Sequence, residues 1–526
     1  MGEECMLEKQ LVEESIRQSG LPCHALRDLL SIGVCPRCIF RLFGVHGDVY
    51  SCLSLSSSLL WSVLDLSNGH EEATDCKVHE GSSSPQDLKV GPEFCVVCWG
   101  ILQLSYDEQA QQTFDLVAST AQLVKGEGFE IDSFSLEVSV PPIILGNERS
   151  VWLYMKKRYG SESRFQDKFF SGSISVKDAL RFSITKSLEE MLAVKVAVRS
   201  FHIRFTYTHS DASSKISLVQ GSRTDGHKKQ KRGDKELLEG IDASDLEINK
   251  ESFGLDIAEQ DRIFQVPPAK VNQPCKVTTL CYRTPVYVGG RYLKYSRNVS
   301  QTRWIIDEER MGETSVEEII GNLTLSILKA DSYKFHAAGR EDIDVRMLGS
   351  GRPFLVEIAN ARSLSSHTEF AELQEKINNL EPRIVRVKNL KEVGVDAWTI
   401  LQQGEAEKQK QYAALVWISR SLEDEDLKCM SSIKEMDIIQ RTPIRVLHRR
   451  SPLERKRMIH WMRAERIHGS KQFFILHLCT QAGTYIKEFV HGDLGRTHPN
   501  LGSILGCRAE ILQLDVTDVK MDCFNS

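Results

Sequence analysis

Residues 339–354 bring together groups able to do chemistry: Arg340, Glu341, Asp342, Asp344, Arg346 and Arg352, in a segment broken by Gly339, Gly349 and Gly351. A carboxylate in such a setting can act as a nucleophile or a base. Arginines beside it can hold phosphates or keep a carboxylate ionised. Phe335, Ala337 and Ala338 lead in, which predicts a buried strand ending at Gly339, where glycine lets the backbone turn and approach a ligand closely. By residue types alone, a salt-bridged surface turn explains the segment as well. Glycoside hydrolysis by Asp342 and Asp344 fits less well. Residues two apart share a face of an extended chain, but hydrolysis needs acids flanking the bond at a set separation.

A second set is made of thiols. Cys35-Pro36-Arg37-Cys38 and Cys95-Val96-Val97-Cys98 are two Cys-x-x-Cys pairs. Two such pairs are the usual source of a tetrahedral four-cysteine zinc site, structural because four thiolates leave no open position. Two unrelated pairs, or one redox pair, remain open. Residues 67–90, between the pairs, are rich in Ser, Gly, Asp and Glu and read as a tolerated surface insertion.

Two tracts are basic. Residues 282–304 carry Arg283, Arg291, Lys294, Arg297 and Arg303 among Tyr282, Tyr287, Tyr292, Tyr295 and Trp304, without an acid. Charge for phosphates and rings for bases predict an RNA-binding surface, against the plainer reading of a lysine- and arginine-protected edge hairpin. Residues 441–471 hold ten Arg or Lys, Arg449 and Arg450 among them, against Glu454 and Glu465. That is a local positive field in a chain of net charge −5, a charge that argues against a wholly basic nucleic-acid binder.

Four stretches, in this order, carry a resemblance: Gly290-Arg291-Tyr292-Leu293-Lys294-Tyr295-Ser296-Arg297, Gly339-Arg340-Glu341-Asp342, residues 442–450 (Thr-Pro-Ile-Arg-Val-Leu-His-Arg-Arg), and residues 481–497 with Gly483-Thr484-Tyr485-Ile486-Lys487. The second resembles the Gly-Arg-x-Asp signature of pseudouridine synthases. Together the four resemble the archaeal and eukaryotic Pus-ten tRNA pseudouridine synthases. The resemblance implies Asp342 as the catalytic residue, Tyr412 as the active-site tyrosine, and Lys487 beside the aspartate. Tyr485, Arg340, Arg449 and Arg450 would contact substrate. It also implies zinc on Cys35, Cys38, Cys95 and Cys98, no organic cofactor, and uridine in the TΨC arm of tRNA as substrate, gripped by loops 302–315 and 440–455. A non-catalytic RNA-binding adaptor is the alternative.

The elements that must position these groups follow from periodicity. Residues 112–125 and Val176–Leu192 read as helices, residues 134–140 and 196–207 as strands. Residues 315–330 read as a helix capped by Ser315 with Glu318. Residues 354–359 and 410–417 read as strands, 368–378 as a helix, and 483–496 as a strand turning into a helix. These patterns give an α+β fold class, for which the resemblance implies a C-terminal pseudouridine synthase fold, with a mixed, largely antiparallel sheet and flanking helices, plus an N-terminal zinc-containing THUMP-like α/β accessory domain. The expected limits are 1–208 for the accessory domain, 209–264 for a charged linker and 265–526 for the catalytic domain. The run His227-Lys228-Lys229-Gln230-Lys231-Arg232 in that linker is either a nuclear-import signal or a solvated patch. Fourteen cysteines in 526 residues do not suggest a disulfide scaffold and fit an intracellular setting, cytoplasm and/or nucleus. No apolar run is long enough to span a bilayer, and no signal-peptide pattern is present.

Overall fold

A computed structural model describes residues 2–52, 54–66, 94–103, 115–162, 165, 172–198, 200–210, 265–363, 367–407, 409–448, 450–521 and 524. The insertion at 67–90, Arg449, and the linker beyond residue 210 lie outside the described residues. The chain divides into two compact units, one of residues 1–127 and 131–282, the other of 128–130 and 283–526.

The first unit opens with helices α1 (Gly2–Ser19), α2 (Cys23–Ser31), α3 (Pro36–Leu42) and α4 (Ser57–Leu66). After these come α5 (Leu116–Gly126), β1 (Ser133–Ser139), α6 (Ile143–Tyr159), α7 (Val176–Leu192), β2 (Lys195–Val196), β3 (Phe201–Thr208) and β4 (Lys276–Arg283). The sheet order is β2-β1-β3-β4, with β1 parallel to both β2 and β3. Helix α7 forms where the sequence predicts it. Ala179, Leu180, Ser183, Ile184 and Leu188 recur on one buried stripe, and the Ser175 hydroxyl accepts the Asp178 N–H at 3.1 Å to cap the start. Strand β3 alternates strictly, with Phe201, Ile203, Phe205 and Tyr207 buried. Because β4 joins this sheet, residues 265–282 group with the first unit rather than with the catalytic half.

The second unit is built on one mixed, largely antiparallel sheet of ten strands among the described residues. Its strands are β5 (Val286–Lys294), β6 (Ser332–Ala337), β7 (Arg346–Ala359), β8 (Val385–Val393), β9 (Lys410–Ile418), β10 (Lys434–Arg441), β11 (Glu454–Arg466), β12 (Phe473–Thr480), β13 (Thr497–His498) and β14 (Ala509–Val519). They run in the order β8-β5-β7-β14-β9-β12-β11-β10-β13, with β6 on the far half of β7. The β7–β14 pairing is parallel; the other pairings in this sheet are antiparallel among the described residues. Helices α8 (Val316–Leu328) and α9 (His367–Asn378) flank it, and both pack apolar residues (Ile320, Leu328, Phe370, Leu373) into its core. Ser315 caps α8 through the Glu318 N–H, as its spacing predicts.

Two departures matter for the site. Strand β6, expected to be buried, is paired on one side only among the described residues and is half-exposed, with Ser332 and Lys334 open to solvent. Strand β7 is not simply 354–359 but starts at Arg346. It pairs with β14 at Arg346 and Met347, then bulges before Arg352 to run along β5. Gly349 makes this close passage feasible: it takes φ +65°, and a Cβ there would come within 1.8 Å of the Thr517 carbonyl oxygen.

Candidate active site

Asp342 lies in the loop between β6 and β7. The chain leaves β6 through Gly339, at φ +88°, a conformation that favours glycine. A tight turn follows, closed by the Val345 N–H on the Asp342 carbonyl at 3.1 Å. The segment is therefore not extended, and the side chains of Asp342 and Asp344 both meet one cation. Lys487 Nζ stands 3.4 Å from Asp342 Oδ2 and 2.8 Å from Asp344 Oδ2. Asp344 pairs with neither Arg346 nor Arg352 among the described residues. Arg346 is bidentate on Asp515, and Arg352 is taken by Glu341. Burial works to raise the Asp344 carboxyl, but the Lys487 hydrogen bond and charge outweigh it and leave it below the usual value.

What separates the two aspartates is Arg445. Its Nη1 lies 3.1 Å from Asp342 Oδ2, while its Nε donates to Glu488 Oε1 at 2.7 Å. Glu488 is buried, on the short helix α10 (Ile486–His491) that also carries Lys487. Burial opposes the Arg445 charge, yet Glu488 and then Asp342 raise its pKa above the ordinary value. The helix start is fixed by buried Gln440, whose side chain accepts the Tyr485 N–H and donates to the Tyr485 carbonyl, both at 2.9 Å. Tyr485 thus serves at the helix N-cap position through its backbone. Arg340 is exposed and makes no ion pair among the described residues. Sequence reasoning passed over Arg445 and Glu488. The signal was present: an acid followed directly by apolar Phe489 and Val490, and an arginine flanked by Ile444 and Val446.

Beside Asp342, Glu341 turns inward. It accepts from the Tyr292 hydroxyl at 2.9 Å and from Arg352 Nε at 2.8 Å, and both members of the ion pair are almost fully buried. Arg352 also donates to the Ala338 carbonyl at 2.7 Å, and Gln301 bridges the Tyr292 hydroxyl and the Gly339 carbonyl. Tyr412, half-buried on β9 opposite Leu478, is near enough to Arg352 and Glu341 to feel their charges. Burial, partly opposed by Arg352, pushes its hydroxyl up to about 12.

Part of the first basic tract departs from the expectation. In 282–304, Arg283 donates to the Ser363 carbonyl at 2.7 Å, and Arg291 to the carbonyls of Ser350, Gly351, Val519 and Met521. Both arginines, Lys294 and Tyr292 are buried. These residues tie backbone together and present neither charge nor ring to a ligand. Long cationic side chains reach carbonyls near the bulged strand, so these four residues are structural, while Tyr295 and Arg303 of the same tract are exposed. In 441–471, Arg441, Lys456 and Arg466 pair with Glu454, Asp437 and Asp424, and Arg450 is exposed.

In the first unit, Cys35, Cys38, Cys95 and Cys98 are buried together, their sulfurs all within 4.8 Å of one another. Cys35 precedes α3, whose Pro36 suits a first helical position, and Cys95–Cys98 sit on a turn. The Cys35 and Leu102 N–H groups point at Cys95 Sγ (3.3 Å) and Cys98 Sγ (3.5 Å). A tetrahedral ion with metal–sulfur bonds of ~2.3 Å sets its sulfurs ~3.8 Å apart, and Cys35 Sγ and Cys98 Sγ are 3.9 Å apart. Buried Arg37 and Arg41 supply positive charge next to the thiols. The donor set fits a four-coordinate, closed metal site.

Known proteins place these features. Residues 287–520 match the family model described as Pus10, C-terminal, and residues 95–281 match Eukaryotic Pus10, N-terminal. The tRNA pseudouridine synthase Pus10 of Homo sapiens is 35% identical, over 95% of this chain and 97% of its own. The Xenopus laevis protein of that name is 34% identical, over 97% and 98% of the two chains. The Thermofilum pendens protein is 40% identical over 45% of this chain and 53% of its own. The crystal structure of a Cbf5-Nop10-Gar1 complex has 17% identity and covers 44% of this chain and 48% of its own, at a TM-score of 0.25, too slight a likeness to build on. Matched along nearly its whole length, this chain belongs to the Pus10 family.

Proposed function

We propose that the chain is a tRNA pseudouridine synthase, an isomerase that breaks the N-glycosidic bond of a uridine and rejoins the same base through carbon, with Asp342 as the acting carboxylate. The observation that carries this is Asp342, held by Arg445 and Lys487 in a chain akin along its length to proteins named for that reaction. The uridine must leave its stack to be reached. Asp342 then acts either on the sugar carbon or as the base there. The base reattaches through C5, C5 loses its proton, and N1 gains one. Uracil is both leaving group and returning nucleophile, so no organic cofactor takes part. Arg445 and Lys487 orient the carboxylate and offset charge as the bond breaks. A hydroxyl with a pKa of about 12 keeps its proton near neutrality, so Tyr412 serves as a ring and a hydrogen-bond donor. The substrate site is the TΨC arm, and Arg449, Arg450 and Arg340 contribute charge to the grip.

A tRNA carrying tritium at uracil C5 tests this reading. Tritium should pass to water in step with pseudouridine, with no free uracil. Free uracil in place of pseudouridine would indicate hydrolysis, and release of neither, with tRNA bound, would leave the adaptor.

Tyr412 supplies a further prediction. Tyr412→Phe should bind tRNA nearly as the unsubstituted chain does, and Tyr412→Ala should lose roughly 1–3 kcal/mol of base stacking. Equal and negligible effects on tRNA affinity would make Tyr412 a packing residue.

We also assign zinc to the four cysteines, a THUMP-like RNA-binding role to the first unit, and an intracellular site of action. Zinc would hold α3 to the Cys95–Cys98 turn and take no part in the chemistry. Cys95→Ser should lower the zinc content of the full chain and loosen the first unit, while single-turnover chemistry on bound tRNA persists. Metal analysis of carefully purified protein that finds no zinc would remove the assignment.

A further inference from the structure

Lys294 ends strand β5, opposite Met347 at the start of β7, and is fully buried. Among the described residues its ammonium meets backbone carbonyls rather than a carboxylate: Val299 and Ile343 at 2.8 Å, and Asp342 at 3.4 Å. Arg297, three residues on, donates to the Asp344 carbonyl at 2.8 Å. Two cations from one short segment thus hold three successive carbonyls, those of Asp342, Ile343 and Asp344. These are the carbonyls of the turn that carries the acting carboxylate. A buried ammonium without a carboxylate partner is a costly way to fill space, and a leucine or methionine would pack there without that cost.

We propose that Lys294 is a positioning residue: through the carbonyls of residues 342 and 343 it sets where the Asp342 carboxylate stands relative to Arg445 and Lys487. The inference rests on Asp342 being the acting group. Three carbonyls need three donors, which only the protonated amine supplies. The neutral amine has two N–H groups and a lone pair, so one carbonyl would face that lone pair and the turn would loosen.

The surroundings make this loss of a proton accessible. Burial pushes the Lys294 pKa down to about 8; Glu341 and Asp344 pull it up, while Arg297 and Arg352 push it down further. Turnover should therefore fall on the alkaline side with a midpoint near pH 8, while tRNA remains bound. The sign of the stability effect is opposite. The unfolded lysine keeps its proton to about pH 10.4, so between about 8 and that value the unfolded chain binds more protons. Lys294 then contributes more to global stability as pH rises. Activity that declines while this contribution grows is therefore not a loss of global stability through Lys294.

The test is single-turnover pseudouridine formation on an unmodified tRNA transcript, with the full chain in excess, from about pH 6.5 to about 9.5. The unsubstituted chain should show the alkaline fall near 8. Lys294→Arg, which keeps its charge throughout this range, should show none. Lys294→Met should be slow at every pH, by roughly 100-fold if the carboxylate is misplaced by about 1 Å, with tRNA affinity within a few-fold of the unsubstituted chain. A level rate in the unsubstituted chain up to about pH 9.5 would overturn the proposal without any variant, so failure of Lys294→Met to fold cannot shelter it. So would an unchanged fall in Lys294→Arg, or an unaltered rate in Lys294→Met. An active Asp342→Asn in the same assay marks failure of the Asp342 reading instead. A level profile beside an inactive Asp342→Asn removes the Lys294 proposal alone.

Discussion

Asp342→Asn should fold, bind tRNA almost as the unsubstituted chain does, and form no pseudouridine even with enzyme in excess. The amide is nearly isosteric but cannot act as an anionic nucleophile or base. Neither cation is stranded by the change, because Arg445 keeps Glu488 and Lys487 keeps Asp344. Asp342 is partly exposed, so its ion pairs should contribute no more than about 1 kcal/mol to stability. Denaturant midpoint, tRNA affinity and single-turnover yield separate these effects. Asp344→Asn is the matched control. It removes the anchor of Lys487 and should slow the reaction, on the order of tenfold or about 1.4 kcal/mol in the barrier, without abolishing it. Distance to Lys487 alone would favour Asp344 over Asp342. Arg445 reverses that choice, since its only carboxylate partners are Asp342 and Glu488 among the described residues. An active Asp342→Asn beside a dead Asp344→Asn would move the assignment two residues along the loop.

Arg352→Met should be the most destabilising of these substitutions. It leaves Glu341 buried and charged, with the Tyr292 hydroxyl as its remaining partner, and frees the Ala338 carbonyl. Breaking a buried ion pair from one side costs about 3–5 kcal/mol, because the other charge remains in a low-dielectric interior. The double variant Arg352→Met with Glu341→Gln removes the lone charge and should regain part of that loss. Chemical unfolding of the full chain measures both. A single-variant loss under about 1 kcal/mol would mean that water reaches Glu341 and that the pair does not hold the loop from within.

How much of this was legible depended on whether the signal was local. Helix α7 is legible to its ends, since its apolar stripe lies within its own sequence. Helix α8 was read from Ser315 and Glu318 for the same reason. The turn after Gly339 was legible because a glycine marked it. Orientation was not. Composition shows that Arg283, Arg291 and Lys294 are charged, but their carbonyl acceptors lie across the fold, as with Arg291 and Met521. The Arg445–Glu488 pair spans 43 residues and exists only once β10 and α10 are brought together. The bulge before Arg352 likewise depends on which strands flank β7. It decides that Arg352 serves Glu341 rather than Asp344.

The most direct test of the central claim is nucleotide-resolved pseudouridine mapping on one unmodified tRNA after incubation with excess purified chain. Pseudouridine should appear in the TΨC arm in near-stoichiometric yield in a single turnover, and not at all with Asp342→Asn. Stable tRNA binding with no pseudouridine from the unsubstituted chain would contradict the account.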